Sequence, residues 1–156
     1  MIMIRKAVPE DAEQIEKLYS VLESDAVSYQ PQHFVMSPAG TRSEQLKSIL
    51  GSETQTMLAA EENGAVIGFA HVTLNKAKAF SCLKPQSNIY LQDLVVAAEY
   101  RSRGIGTLLL NAAKEYGREK GAEFFRTQVF PLNEDGLRFY RRNGFEVTML
   151  TIECPL

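Results

Sequence analysis

The run Leu94-Val-Val-Ala-Ala-Glu-Tyr-Arg101-Ser102-Arg103-Gly104-Ile105-Gly106-Thr107-Leu-Leu constrains the fold more than any other part of the chain. An apolar strand over 88–97 ends, a short basic turn with two glycines follows, and a helix starts at once. Ile105, Leu108, Leu109, Ala112 and Tyr116 recur at the spacing of one buried helical face. Lys120-Gly121 supplies the basic last turn and the glycine that close the helix. A strand feeding a one-sided apolar helix needs a sheet on which that helix packs. The glycines permit positive φ and let a ligand approach the backbone closely. The free N–H groups of the first helical turn, the helix dipole and two arginines together make a cradle for phosphate or pyrophosphate. Gly-x-Gly alone is equally a simple turn former. The P-loop pattern occurs nowhere, and the dinucleotide fingerprint fails because Leu109 stands at its third glycine and Arg126 stands where an acid is needed.

The flanking sequence reads as one domain over 1–156, without repeats or linkers. Residues 1–8 form a short strand, and Pro-Glu-Asp opens a helix whose Ala12, Ile15, Leu18, Tyr19 and Leu22 share a face. Residues 24–40 read as an irregular loop. Thr41-Arg-Ser-Glu44 has capping-box form and opens a helix through Leu50. Strands 54–61 and 65–74 flank the hairpin turn Glu62-Asn63-Gly64, with a polar connection over 75–87. After the central helix come a strand over 124–130, a helix over 133–143 and a final strand over 145–153. The order β-α-α-β-β-β-α-β-α-β predicts an α/β (α+β) sheet with helices on both faces.

The 156 residues, 45% of them hydrophobic, suffice for a core without disulfides or metals. A formal net charge of −2 argues against a nucleic-acid partner. The charge is uneven: 1–97 carries eight Lys/Arg against eleven Asp/Glu, whereas 98–142 carries nine against six. A basic region within an acidic chain suits a small anionic ligand. Cys82 and Cys154, with His33 and His71, lack metal-site spacing. The absence of a signal-peptide pattern or a long apolar run predicts a cytoplasmic protein with no membrane partner.

Arg101-x-x-Gly104-x-Gly106 resembles the Gln/Arg-x-x-Gly-x-Gly/Ala signature of the GCN5-related N-acetyltransferases (GNAT). Ile4-Arg5-Lys6-Ala7 with Glu-Asp-Ala is similar to that family's first strand and helix start, and Val66-Ile67-Gly68-Phe69 to its central hairpin. Asn133-x-x-Gly136-x-x-Phe139-Tyr140-x-x-x-Gly144-Phe145 resembles its later motif. The resemblance spans essentially the whole chain. It implies a mixed, mostly antiparallel sheet of six to seven strands with a splayed parallel pair, and acetyl-CoA as co-substrate with no metal. In the splay, backbone groups of Leu94, Val95 and Val96 would pair with the pantetheine arm. The N–H groups of Arg101, Ser102, Arg103, Gly104, Ile105, Gly106 and Thr107 would hold the pyrophosphate. Asn133 would bond the pantetheine region, or act as an ordinary N-cap, or both.

The implied activity is an N-acetyltransferase acting on a primary amine of a small molecule, peptide or protein by direct attack in a ternary complex. Tyr140 is implied as the acid that assists the departing thiolate; packing of its helix is the competing role. The general base is open. Gln92 stands where similar polyamine acetyltransferases carry Glu, and an amide accepts no proton at neutral pH. Asp93 turns to the opposite face unless a bulge intervenes; His71 and ordered water remain. Tyr29, His33, Phe34 and Met36, in the loop after the first helix, either line the acceptor pocket or cover the core. Two alternatives stand beside the enzyme: a non-catalytic acyl-CoA-sensing module, and a self-associating subunit whose final strand pairs with another chain. Family members are often homodimers, and the sequence decides neither that nor the acceptor.

Overall fold

Asn63 and Gly64, at φ +51° and +81°, fold β2 (Gln55–Glu62) back onto β3 (Ala65–Ala77). Two successive positive-φ residues are what a tight two-residue hairpin needs, and Asn-Gly supplies them with little strain. The sheet grows outward from this hairpin. β1 (Ile2–Lys6) pairs antiparallel with β2, and β4 (Gln86–Val96) antiparallel with β3. β5 (Phe124–Arg126) adds parallel to β4, giving the order β1-β2-β3-β4-β5. The computed structural model describes the whole chain, Met1–Leu156.

Helices α1 (Ala12–Tyr29) and α2 (Thr41–Leu50) cover one face of the sheet, and α3 (Ile105–Glu119) covers the other. Side-chain alternation along the strands divides the core accordingly. Ala70, Val72, Ile89 and Leu91 meet Leu109, Leu110 and Ala113 of α3. Met57, Ala59, Phe69 and Val95 meet Ile15, Leu18, Tyr19, Leu46 and Ile49 on the opposite side. α4 (Glu134–Arg142) lies beside α3, tied to it where Lys114 Nζ donates to the Asn143 carbonyl at 2.6 Å.

The expected architecture holds, with corrections at its margins. The sheet has five strands rather than six or seven. The segment 145–153 alternates like a strand but finds no partner in its own chain: no backbone group from residue 146 onward bonds to another backbone group. The pairing expected over 124–130 stops at Arg126. α1 continues through the expected loop as far as Tyr29, because Ser24 to Tyr29 contain no helix breaker and the prolines start only at Pro31. Finally, Thr41 does not cap α2. Gly40, at φ +82°, is the cap residue, and the Thr41 hydroxyl instead donates to the Pro38 carbonyl at 2.7 Å.

Candidate active site

The site begins where two parallel strands part. β4 and β5 pair only at Asn88↔Phe124, Ile89↔Phe125 and Tyr90↔Arg126. One further link follows, from the Thr127 hydroxyl to the Leu91 carbonyl at 3.0 Å, and beyond it the edge of β4 is open. The cause lies on the other edge of β4. Against β3 the register runs Asp93↔His71 and then Leu91↔Val72, so Gln92 is an extra residue. Such a bulge bends its strand and increases the local twist, drawing β4 away from a straight neighbour.

The open edge presents backbone, not side chains. The Ala97 N–H donates to the Ile67 carbonyl at 2.8 Å, toward β3. By alternation the N–H and C=O of Val95 also face β3, and those of Leu94 and Val96 face the opening. Two of the three expected strand residues are thus available to a ligand, while Val95 holds the sheet together. The Val96 carbonyl is already approached by Arg101 Nε at 3.3 Å.

At the foot of this edge lies the turn into α3. Ser102 and Gly104 have φ +62° and +77°, and the first backbone bond of the helix is Leu108 N–H to the Gly104 carbonyl at 3.1 Å. The N–H groups from Ser102 to Thr107 have no acceptor within the chain, from backbone or side chain. Six adjacent unaccepted donors at the positive end of a 15-residue helix fit a diphosphate. A Cβ on Gly104 would meet nothing within 4 Å, so this glycine serves conformation and the space before it is open. Gly106 serves packing instead: the Phe139 ring of α4 lies 3.3 Å from where its Cβ would be. Arg103 departs from expectation. Arg103 turns its guanidinium to Glu62 at 2.9 and 3.3 Å, so it offers the turn its backbone and not its charge.

α4 brings Tyr140 to the fork. Asn133 caps the helix by accepting from the Gly136 N–H at 3.0 Å, which leaves its Nδ2 free for a ligand. Tyr140 packs between Phe139 and Phe145, with ring centroids at 5.1 and 5.4 Å. Burial pushes its phenol up to about 12; the neighbouring Thr127 hydroxyl opposes the rise, and the negative charge of Asp93 adds to it. Thr127 is also the last link between β4 and β5, so Tyr140 stands where the strands separate.

The bulge settles which β4 side chains share this neighbourhood. It turns Asp93 to the α1 side, where Tyr19 Oη approaches its carboxylate at 3.3 Å and His71 Nδ1 lies 3.6 Å away. The same charge helps raise Tyr19 and Tyr90, for both of which burial is the larger cause. Gln92 is exposed and donates to the Thr73 hydroxyl at 3.2 Å. His71 is only 4% exposed, with Nε2 against Gln55 Oε1 at 2.9 Å, so it sits behind Asp93 and not in the opening. Of the loop residues, Tyr29 and Phe34 both pack on the Phe130 ring, at 5.6 and 5.5 Å, and His33 meets Glu153 at 2.8 Å. Tyr19 and Thr127 carry no signal in the linear pattern; a helix-face tyrosine and a strand threonine become site residues only through the bulge and the fork. Cys82 and Cys154 are exposed, in the β3–β4 connection and the C-terminal segment.

The sequence model of the acetyltransferase (GNAT) family matches residues 16–145. The chain belongs to that family. Its relatives include the uncharacterized N-acetyltransferase YhfO of Bacillus subtilis, 35% identical over 101 residues. That alignment covers 65% of this chain and 65% of YhfO, so the chain spans just under two thirds of that relative. Among solved structures, a single-substitution mutant of the BH1408 protein from Bacillus halodurans superposes with a TM-score of 0.94 at 22% identity, covering 99% of both chains. AAC(6')-Iy, bound to the bisubstrate analog CoA-S-monomethyl-acetylneamine, superposes at 0.76 and 22% identity, covering 100% of this chain and 98% of its own. At these identities the structural matches establish the fold.

Proposed function

We propose that this protein is an acetyl-CoA-dependent N-acetyltransferase that acts on a primary amine of a small molecule or peptide by direct attack in a ternary complex. The observation that carries this reading is the row of six unaccepted N–H groups from Ser102 to Thr107 beside the open backbone of Leu94 and Val96. These are complementary to a diphosphate joined to an amide-bearing arm. Asn133 Nδ2 adds a donor on the far wall. Acetyl-CoA would supply the activated acyl group, and proximity of the two substrates would supply much of the rate.

The residues around the fork divide the proton traffic. Asp93, held between Tyr19 and His71, takes the amine proton directly or through one water as the new N–C bond forms. The C–S bond breaks, and Tyr140 donates a hydrogen bond to the sulfur. A phenol held near 12 remains protonated at any working pH, so it is always a competent donor. It is a weaker acid than an ordinary thiol at about 8.5, so it stabilises the departing thiolate more by hydrogen bonding than by complete proton transfer. The distance of both cysteines from the motifs favours direct attack over an acyl-cysteine route. The acyl-CoA-sensing alternative drew on Gln92 in place of a carboxylate, and Asp93 supplies a carboxylate on that face.

The test is thiol release from acetyl-CoA across a panel of amines that includes aminoglycosides, lysine analogues and peptides. Tyr140→Phe lowers kcat by roughly tenfold to a hundredfold with little change in KM for acetyl-CoA. Asp93→Asn lowers kcat/KM for the amine. Tight CoA binding with no thiol release for any amine would support the sensing module instead.

A further inference from the structure

We propose that Gln55, at the start of β2, is a positioning residue for acetyl transfer: it fixes the tautomer of His71, so that the His71–Asp93 pair receives the amine's proton. This deepens the acetyltransferase reading and rests on it. The arrangement follows from the register. His71 on β3 stands opposite Asp93 on β4, and Gln55 stands opposite Thr73, two residues along β3 from His71. All three side chains therefore share the α1 face of the sheet, with the imidazole in the middle. Nothing in the linear pattern singles out Gln55; only the pairing of β2 with β3 brings it to the histidine.

The imidazole has one satisfied nitrogen and one bare one. Nε2 lies 2.9 Å from Gln55 Oε1, and an amide oxygen only accepts, so Nε2 carries the hydrogen. In a neutral ring that leaves Nδ1 as a lone pair. Nδ1 is buried without a hydrogen-bond partner, and Asp93 Oδ2, the atom it faces, stands 3.6 Å away. Two acceptors thus confront each other across a gap too long for a hydrogen bond. The ring is only 4% exposed, so a nitrogen left unpaired there is costly. Asp93 by itself would favour the other tautomer, with Nδ1–H donated to the carboxylate. Gln55 prevents that, and so keeps a place between the two groups that a single added proton fills.

That proton comes from the acceptor. As the amine nitrogen bonds to the acyl carbon, its N–H bond breaks and the proton passes to Asp93. Asp93 hands it to Nδ1, giving an imidazolium whose Nδ1–H faces the restored carboxylate and whose Nε2–H stays on Gln55. The C–S electron pair leaves with sulfur, so one proton gained and one thiolate released balance the step. The proton later returns to water through Asp93, whose side chain is 29% exposed against 5% for His71. No neighbour competes for it. Tyr19 from α1, Tyr90 from β4 and Tyr140 from α4 all feel the carboxylate, and burial holds all three phenols protonated. Arg42 of α2 lies over the Tyr19 ring at 4.2 Å and is already bonded to Glu23 and Gln45.

The test uses the full chain, and its first readout needs no substrate. With two histidines present, the ring-nitrogen signals of His71 are those that survive in His33→Gln. Nitrogen NMR of the wild type above neutral pH gives Nε2 protonated and Nδ1 bare. Gln55→Leu moves the hydrogen to Nδ1. Gln55→Glu keeps an acceptor in place, retains the hydrogen on Nε2, and guards against a misfolded leucine variant. The second readout is thiol release from acetyl-CoA. Gln55→Leu lowers kcat/KM for the amine by about tenfold and leaves KM for acetyl-CoA unchanged. A tautomer unmoved by Gln55→Leu overturns the proposal, as does a Gln55→Leu enzyme as fast as the wild type. Thiol release by a wild type whose His71 carries its hydrogen on Nδ1 overturns this proposal alone. A wild type that releases no thiol with any amine overturns the acetyltransferase reading and this proposal together.

Discussion

Tyr140 shows how one position serves both packing and chemistry. Its ring fills the space between Phe139 and Phe145, and the burial that follows raises the phenol to about 12. A folded-state value above the ordinary 10 means that the native state holds the proton more tightly than the unfolded chain does. The associated stability is fully present below pH 10 and is lost as the pH rises from there through about 12. Denaturant unfolding followed between those limits should fall more steeply for the wild type than for Tyr140→Phe; the same comparison against a Tyr19 variant separates the two buried phenols. The motif register made Tyr140 legible in the sequence. Asp93 was legible only as one of several base candidates, because its face depends on an extra residue at Gln92. No alternation pattern announces that a strand will absorb an insertion in mid-course, and a slip of one residue reverses every assignment beyond it.

At the scale of elements, the turn into α3 joins conformation to binding. Gly104 sits at φ +77° with open space where a side chain would be. Gly104→Ala therefore meets no clash and costs only the left-handed backbone, about 1 kcal/mol. The same substitution disturbs the alignment of the donors on either side, so CoA affinity measured by calorimetry should fall by more than the stability loss implies. The helices α1 and α3 were readable because each has a long apolar face, and α3 and α4 carry punctuation, Lys120-Gly121 at the end of one and Asn133 at the start of the other. The ends of the sheet were less so. Residues 124–130 and 145–153 have the composition of strands, but composition does not say where the hydrogen-bonding partner comes from, and a strand exists only as part of a pair.

Across the whole molecule, one ion cluster ties the sheet to the helical layer. Arg5 on β1 reaches Asp11, just ahead of α1, through two bonds of 2.7 and 3.0 Å, and Glu61 on β2 at 2.6 Å. Asp11 is 5% exposed, and its carboxylate also accepts the Val8 N–H. The bond from Arg5 holds its pKa below the usual carboxylate range. Arg5→Met strands a buried carboxylate and should cost about 2 kcal/mol, below the range for a fully buried pair because Arg5 itself is partly exposed. A depressed folded-state pKa places this stability above the unfolded value near 3.9 and removes it as the pH falls through the native one. The gap between wild type and Arg5→Met in thermal unfolding should therefore be wide at neutral pH and should close in acid.

The extra residue at Gln92 serves the cleft and not the core. Leu91 and Leu94 face α3, and Asp93 and Val95 face α1, on either side of it. Removing Gln92 would leave all four on the faces they already occupy, as an unbroken alternation. The core therefore has no need of this residue. Its contribution is the bend that keeps β4 from continuing its ladder with β5, and a straightened β4 would fill that ladder and bond more of its own backbone. One inserted residue thus stands between an unbroken ladder and a sheet with an open cleft.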